Sequence, residues 1–407
     1  MSVKAFVCLV AAGAVLVSAA AWAEDWPHWR GPTYNGLAPN SPPLVDAFGP
    51  DGPKKVWESE TLYEGATEVG AGSVTVSDGR AYAYVHPRYV QNRPWKQLSK
   101  DFVFCFDAST GKTLWKTELP SWYMGWSASC SPTIADGRCY ILSSEAHVYC
   151  LDAKTGQEIW KSEFIGKEGN KHNRSSSPLV VDGVVVVVTS VNAVGLDART
   201  GKTLWRDAQA RTECGSAVPW KTDGKTCAVM LAGRAHCYEP KTGKNLWERV
   251  SGGNGASPVI VGNVMAVKSG ETVTLYTLDP AAPRRMWQVK FMDQFTTPTI
   301  HDGHVYVFGQ AFDNKHPSRA VCVEVATGRV SWDEEVGPFE FSSATVADGK
   351  ILLVGRDTLH LIKATPGKYT ELGRAKMALR THSSVGFADG KIYLRKKNSV
   401  VCCDLRK

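Results

Sequence analysis

Short apolar runs alternate with polar turns along nearly the whole chain, and one arrangement of them recurs. Val148-Tyr149-Cys150-Leu151 leads into Asp152-Ala153-Lys154-Thr155-Gly156, and Gln157-Glu158-Ile159-Trp160-Lys161 follows. The β-branched and aromatic residues predict two short strands, and Asp, Thr and Gly predict a tight turn between them. Gly156 suits a backbone position with positive φ. Near-copies occupy residues 104–115, 193–205, 235–247 and 320–332. One such hairpin cannot bury its own tryptophan, so the copies must stack on one another.

A second signature sets the count. A strand ending in Asp-Gly and followed by another strand recurs at Asp78-Gly79, Asp136-Gly137, Asp182-Gly183, Asp223-Gly224, Asp302-Gly303, Asp348-Gly349 and Asp389-Gly390, with Gly262-Asn263 in the same role. Each unit then reads as strand A, Asp-Gly turn, strand B, loop, strand C, Thr-Gly turn and a Trp-bearing strand D. Four strands in a unit of this length make a propeller blade. The chain opens with a lone D-type strand at residues 54–59 and closes with A, B and C strands ending near Asp404. The reading is therefore all-β: an eight-bladed β-propeller of four-stranded antiparallel blades, closed by the N-terminal strand joining the last blade. Closure hides the edges that an open array would expose. Blade seven departs from the pattern, with Thr365-Pro366-Gly367-Lys368 in place of the Thr-Gly turn and Leu372 expected to stand in for Trp.

The segments Asp-Ala-Lys-Thr-Gly-Gln-Glu-Ile-Trp from Asp152, Asp-Ala-Arg-Thr-Gly-Lys-Thr-Leu-Trp from Asp197 and Asp-Ala-Ser-Thr-Gly-Lys-Thr-Leu-Trp from Asp107 resemble the repeat of pyrroloquinoline-quinone-type (PQQ-like) β-propellers. The resemblance runs from Val56 to the C-terminus. Trp26-Pro27-His28-Trp29-Arg30-Gly31-Pro32 also resembles the head of exported propellers of this superfamily. Two branches are implied: quinoprotein dehydrogenases, and a non-enzymatic BamB-like propeller of outer-membrane protein assembly. Fold alone does not choose between them. The alcohol dehydrogenases of the first branch use an adjacent Cys-Cys disulfide, a Trp floor, a Ca²⁺ with acidic ligands and a catalytic Asp. The one adjacent pair here, Cys402-Cys403, falls on strand C, where neighbouring side chains point to opposite faces and a vicinal disulfide fits poorly. No catalytic, cofactor-binding or metal-binding residue carries over, so no cofactor is expected; PQQ with Ca²⁺ belongs to the dehydrogenase alternative.

Outside the repeat, Lys4, an apolar run to Ala20 and Ala21-Trp22-Ala23 predict a signal peptide over residues 1–23. Residues 24–53, rich in Pro and Gly, predict an ordered extended arm, read as a packing strap or as a ligand-contacting lip. The propeller takes residues 54–407. The expected product is exported, periplasmic or extracellular, without stable membrane insertion after cleavage. The formal charge is +7, and losing residues 1–23 removes one Lys and no acid, leaving +6. Those charges are spread over many loops, and export argues against nucleic acid as a partner.

Of 11 cysteines, Cys8 leaves with the signal peptide. Cys105, Cys150, Cys237, Cys322 and Cys402 share one strand C position and read as small buried residues, too far apart to pair across blades. Pairing of Cys130, Cys139, Cys214, Cys227 and Cys403 stays open. His301-Asp302-Gly303-His304 reads as a surface turn, and Glu334-Glu335 as a solvated pair following strand D.

In a four-stranded meander the A–B and C–D turns share one face, and the B–C and D–A loops share the other. The first set is short and repetitive; the second is long and varied, and departures from a repeat are where binding concentrates. Arg88, Arg93, Trp95, Trp122, Tyr123, Trp126, Lys171, His172 and Arg174 are the candidate partner-binding residues, since aromatic and Arg side chains are the usual anchors. The expected function is an exported non-catalytic scaffold binding a protein or envelope ligand on this face, with outer-membrane protein assembly as the context the resemblance implies. The alternative is a PQQ-dependent alcohol or sugar dehydrogenase, or a degenerate relative. A hydroxyl also precedes most inner strands, at Ser73, Ser131, Ser177, Ser257, Thr297, Ser343 and Ser384, with Val218 as the exception. It serves either to hydrogen-bond the strand starts or to form a polar collar at the axial mouth.

Overall fold

The computed structural model describes residues 24–90, 100–121, 129–166, 176–212, 214–251, 255–291, 296–309, 317–337, 339, 342–379 and 382–407. Eight blades of four antiparallel strands follow one another along the chain, one of them extended to five strands by the arm, and no helix occurs among the described residues. Blade 1 comprises A Thr75–Ser77, B Arg80–Val85, C Lys100–Asp107 and D Thr113–Pro120. Blade 2 starts at Thr133–Ala135, blade 3 at Leu179–Val181 and blade 4 at Val218–Thr222. Blades 5 to 8 start at Val259–Val261, Thr299–His301, Thr345–Ala347 and Gly386–Ala388. A strands of neighbouring blades touch one another, so they line the axis and the D strands form the rim. All seven Asp-Gly turns hold both residues in the left-handed region, with the Asp at φ of 45–51°. That backbone matches the right-handed twist of the strands it joins.

Strand Lys54–Glu58 completes blade 8 as expected, pairing Lys54 with Asp404, Trp57 with Cys402 and Glu58 with Val401. The rim tryptophans then fasten each blade to the next. Every C–D pair carries a register shift beside the docking position, which turns that side chain out of its own sheet. Trp57 Nε1 donates to Ala108 O in blade 1, Trp115 to Ala153 O and Trp160 to Ala198 O. Strand B tyrosines of the same blades reach the same carbonyls: Tyr393 to Ala108, Tyr82 to Ala153 and Tyr140 to Ala198. The ring lies over the glycine of the next Thr-Gly turn; a Cβ on Gly156 would stand 2.5 Å from Cε3 of Trp115. Beneath the indoles sit the strand C cysteines, with Cys105, Cys150, Cys237 and Cys322 opposite Trp115, Trp160, Trp247 and Trp332. All ten described cysteines are free thiols, and only Cys214 is less than buried. Burial pushes the thiol of Cys105 up to about 11 and that of Cys130 up to about 12.

Blade 7 corrects one expectation. The residue paired with Leu361 at the docking position is Gly373, so Leu372 is not the stand-in for tryptophan. No Thr-Gly turn waits in blade 8, because its C and D strands belong to opposite ends of the chain. The arm fills the gap instead: Phe48 bridges Gly373, and a Cβ there would lie 2.7 Å from Phe48 O. Glu334 and Glu335 lie within strand D of blade 6, Val330–Val336, exposed as expected but not beyond the strand.

The arm is a strap across the turn-side end of the axis. Trp26 bridges Val76 of blade 1, Pro27 O accepts from Ile134 N of blade 2, and Tyr34 packs against the clusters that join blades 3, 4 and 5. Asn35 clasps both backbone groups of Ile300 in blade 6, and Leu37–Ala38 adds a parallel strand to Thr345–Ala347 of blade 7. Arg30 is 1 % exposed and spans Ala344 O, Asn35 O, Pro298 O and Thr299 Oγ1 at 2.7–2.8 Å.

At the other end of the axis the hydroxyl series closes into a ring. Each strand-start hydroxyl accepts the backbone N–H of its counterpart in the preceding blade, from Ser73 N to Ser131 Oγ around to Ser384 N to Ser73 Oγ, over 2.8–3.3 Å. The apparent gap at Val218 is closed by Ser216, which accepts from Ser177 N and donates its own N–H to Ser257 Oγ. Strand A of blade 4 is five residues long where the other A strands have three, which moves its hydroxyl two positions upstream.

Candidate functional site

The two faces differ as the loop lengths predict. The A–B turns are near-identical hairpins, and the arm crosses the axis on their side. On the B–C/D–A face, Arg88 lies on a short strand, Arg88–Val90, that pairs with Ala66–Glu68 as a separate two-stranded sheet. The Arg88 side chain lies outside the described residues, as do Arg93, Trp95, Trp122, Tyr123, Trp126, Lys171, His172 and Arg174 entirely.

The attachment points of these loops are described, and they converge on a buried polar network that sequence reasoning missed. His86 and Asp101 flank the B–C loop of blade 1, Ser121 begins the D–A loop towards blade 2, and Ser144 belongs to the B–C turn of blade 2. His86 Nδ1 lies 2.7 Å from Asp101 Oδ1, and Tyr84 Oη donates to Asp101 Oδ2. Ser144 N donates to Tyr84 Oη at 2.8 Å, and Ser121 Oγ stands 3.2 Å from Ser144 Oγ. None of His86, Asp101, Tyr84 and Ser144 is more than 1 % exposed. Burial opposes ionisation of Asp101, but His86, Ser144 and Tyr84 outweigh it and hold the carboxyl below its ordinary value. A satisfied network of this kind rigidifies what it connects, here the bases of two candidate loops. Apart from Tyr84 and His86 at the end of strand B, the residues lie 15 or more positions apart, so no local motif announces them.

Ser, His and Asp together invite comparison with a hydrolytic triad, and the geometry rejects it. Ser121 Oγ, at 3.5 Å, approaches the same nitrogen, Nδ1, that Asp101 holds at 2.7 Å. A triad needs the carboxylate on one ring nitrogen and the nucleophile on the other. The adjacent cysteines named for the dehydrogenase alternative are both described. Cys402 and Cys403 lie in strand C of blade 8, both buried in the blade core as free thiols, with Cys402 opposite Trp57. Among the described residues no three His, Cys, Asp or Glu side chains converge as metal ligands.

A profile of the family described as outer membrane protein assembly factor BamB matches residues 43–219 and 196–344. No curated protein matches the chain. Among solved structures, BamB from Moraxella catarrhalis is 17 % identical with a TM-score of 0.58, covering 86 % of this chain and 97 % of that one. Quinohemoprotein alcohol dehydrogenase from Comamonas testosteroni is 12 % identical with a TM-score of 0.68, covering 93 % and 80 %. The computationally designed Ika8 protein is 13 % identical with a TM-score of 0.60, covering 86 % and 99 %. At these identities the structural likenesses show the propeller fold and nothing about chemistry. The profile match extends over most of the blades, and with it the chain belongs to the BamB-like family of PQQ-type β-propellers.

Proposed function

We propose that this chain is an exported, non-catalytic scaffold that docks a protein of the cell envelope on its B–C/D–A face, in the assembly of outer-membrane proteins. The observation that carries the reading is the inequality of the two faces. One is a set of near-identical turns crossed by the arm. The other gathers the connections that break the repeat, with the His86–Asp101 network fastening the bases of two of them. The family description supports the same context. The sequence of those connections holds three indoles and several cations, a composition suited to an acidic partner.

Replacing Trp122 and Trp126 together by Ala tests it. A desolvated tryptophan anchor commonly contributes at least about 2 kcal/mol, so affinity for the partner should fall at least about 30-fold with the melting temperature unchanged. Unchanged affinity would refute the assignment of this face. The dehydrogenase reading has its own test, since titration with the quinone, with and without Ca²⁺, should give no stoichiometric complex. A tight complex would reinstate it.

A further inference from the structure

One concavity on the varied face has a lining that, among the described residues, includes none of the candidates from the sequence. Between blades 3 and 4 a cavity of about 590 Å³ is lined by Gln209 and Arg211 of blade 3 and by Gly233, Arg234, His236 and Glu248 of blade 4. That volume lies within the range of about 300–1,000 Å³ typical of small-molecule sites. It exists because strands Lys225–Ala232 and Arg234–Tyr238 are joined by Gly233 alone, at φ +74°, which leaves no loop above the sheet.

The walls are fixed. Asp207 Oδ1 accepts from Gln209 N at 2.8 Å, and Thr212 N donates to Thr189 O at 3.0 Å. At the floor, His236 is 2 % exposed; its Nδ1 faces Asn245 Nδ2 and Tyr238 Oη at 3.3 Å, while Tyr238 donates to Asp207 Oδ2 at 2.7 Å. Burial holds His236 below its ordinary pKa and therefore neutral at pH 7. Arg234 pairs with Glu248 at 3.2 Å, so their charges offset. Among the described residues Arg211 has no acidic partner, and its guanidinium lines the notch together with the Gln209 amide.

We propose that this notch binds a small organic carboxylate, seated on the Arg211 guanidinium, which offers a carboxylate two parallel N–H donors, with the Gln209 amide beside it. The inference does not depend on a protein docking elsewhere on the face. The shared chemistry is the carboxylate, whether from a free metabolite acid or from a peptide end. The test is calorimetric titration of the full chain with succinate, glucuronate and the dipeptide Ala-Asp, in low and moderate salt. The expected result is one saturable site for at least one of them, weakened tenfold or more in R211Q and partly retained in R211K. K202Q, on the turn face, should bind as the parent does. Preference for the dipeptide over the free acids would identify a peptide end as the source, and the reverse a free acid. Arg211 is exposed, and a melting curve confirms that R211Q is folded. The proposal fails if none of the three binds, or if binding survives R211Q unchanged. Either outcome leaves the tryptophan test of partner docking untouched.

Discussion

His28 is a titratable side chain buried in the arm with, among the described residues, no acid to pair with. It is 4 % exposed, stacks on Tyr34 with ring centroids 3.5 Å apart, and its Nδ1 has no hydrogen-bond partner. Burial alone pulls its pKa down to about 3. The folded chain therefore stays neutral at His28 while the unfolded chain takes up a proton below about 6.5. Its contribution to stability is complete above that pH and is lost as pH falls towards 3, by about 1.4 kcal/mol per pH unit. His236, His301 and His360 shift in the same direction, so the useful quantity is a difference. Urea midpoints of wild type and H28Q, measured between pH 7.5 and pH 4.5, should converge as the pH drops; parallel curves would mean that His28 is solvated. The rim shows how a repeat tolerates exceptions. Trp247 docks towards blade 5, where Asp279-Pro280-Ala281 replaces the Thr-Gly turn, and its Nε1 is left without a hydrogen-bond partner.

Strand starts and strand ends are where the sequence was read best and worst. Residues repeated from blade to blade were legible one by one: the Asp-Gly turns, the docking tryptophans and the cysteines beneath them all lie where the period puts them. Legibility stopped where an element changes length or leaves the repeat. Ser216 escaped because strand A of blade 4 is two residues longer than its counterparts. Phe48 escaped because the docking place at Gly373 is filled from an arm with no periodicity. The His86–Asp101 network and the Arg211 notch escaped because their members meet only through packing between strands and blades. The hydroxyl ring gives the element-scale prediction. Ser216→Ala leaves the buried N–H of Ser177 without its acceptor, at a cost of about 1–3 kcal/mol. The equilibrium unfolding free energy of S216A should fall by that amount. A stability equal to wild type would show that the ring is incidental to the joining of blades.

For the whole molecule, closure and sidedness follow from the same arrangement. Strand Lys54–Glu58 seals the ring, the arm crosses one end of the axis while the hydroxyl ring links the blades around the other, and the varied loops are left as the surface that distinguishes this propeller from its repeats. Recognition by such a surface rests on a few desolvated anchors, and the surrounding charges act on association rate and salt dependence. The measurement that bears most directly on the account is site-specific photo-crosslinking in intact cells. A photoreactive residue is placed in turn at Met124 and Asn173 on the varied face, and at Lys112 and Lys202 beside the Thr-Gly turns. The account predicts one discrete protein adduct from the first pair, lost when Trp122 and Trp126 are changed to Ala, and none from the second. A discrete adduct from Lys112 or Lys202 with none from Met124 or Asn173 would contradict it.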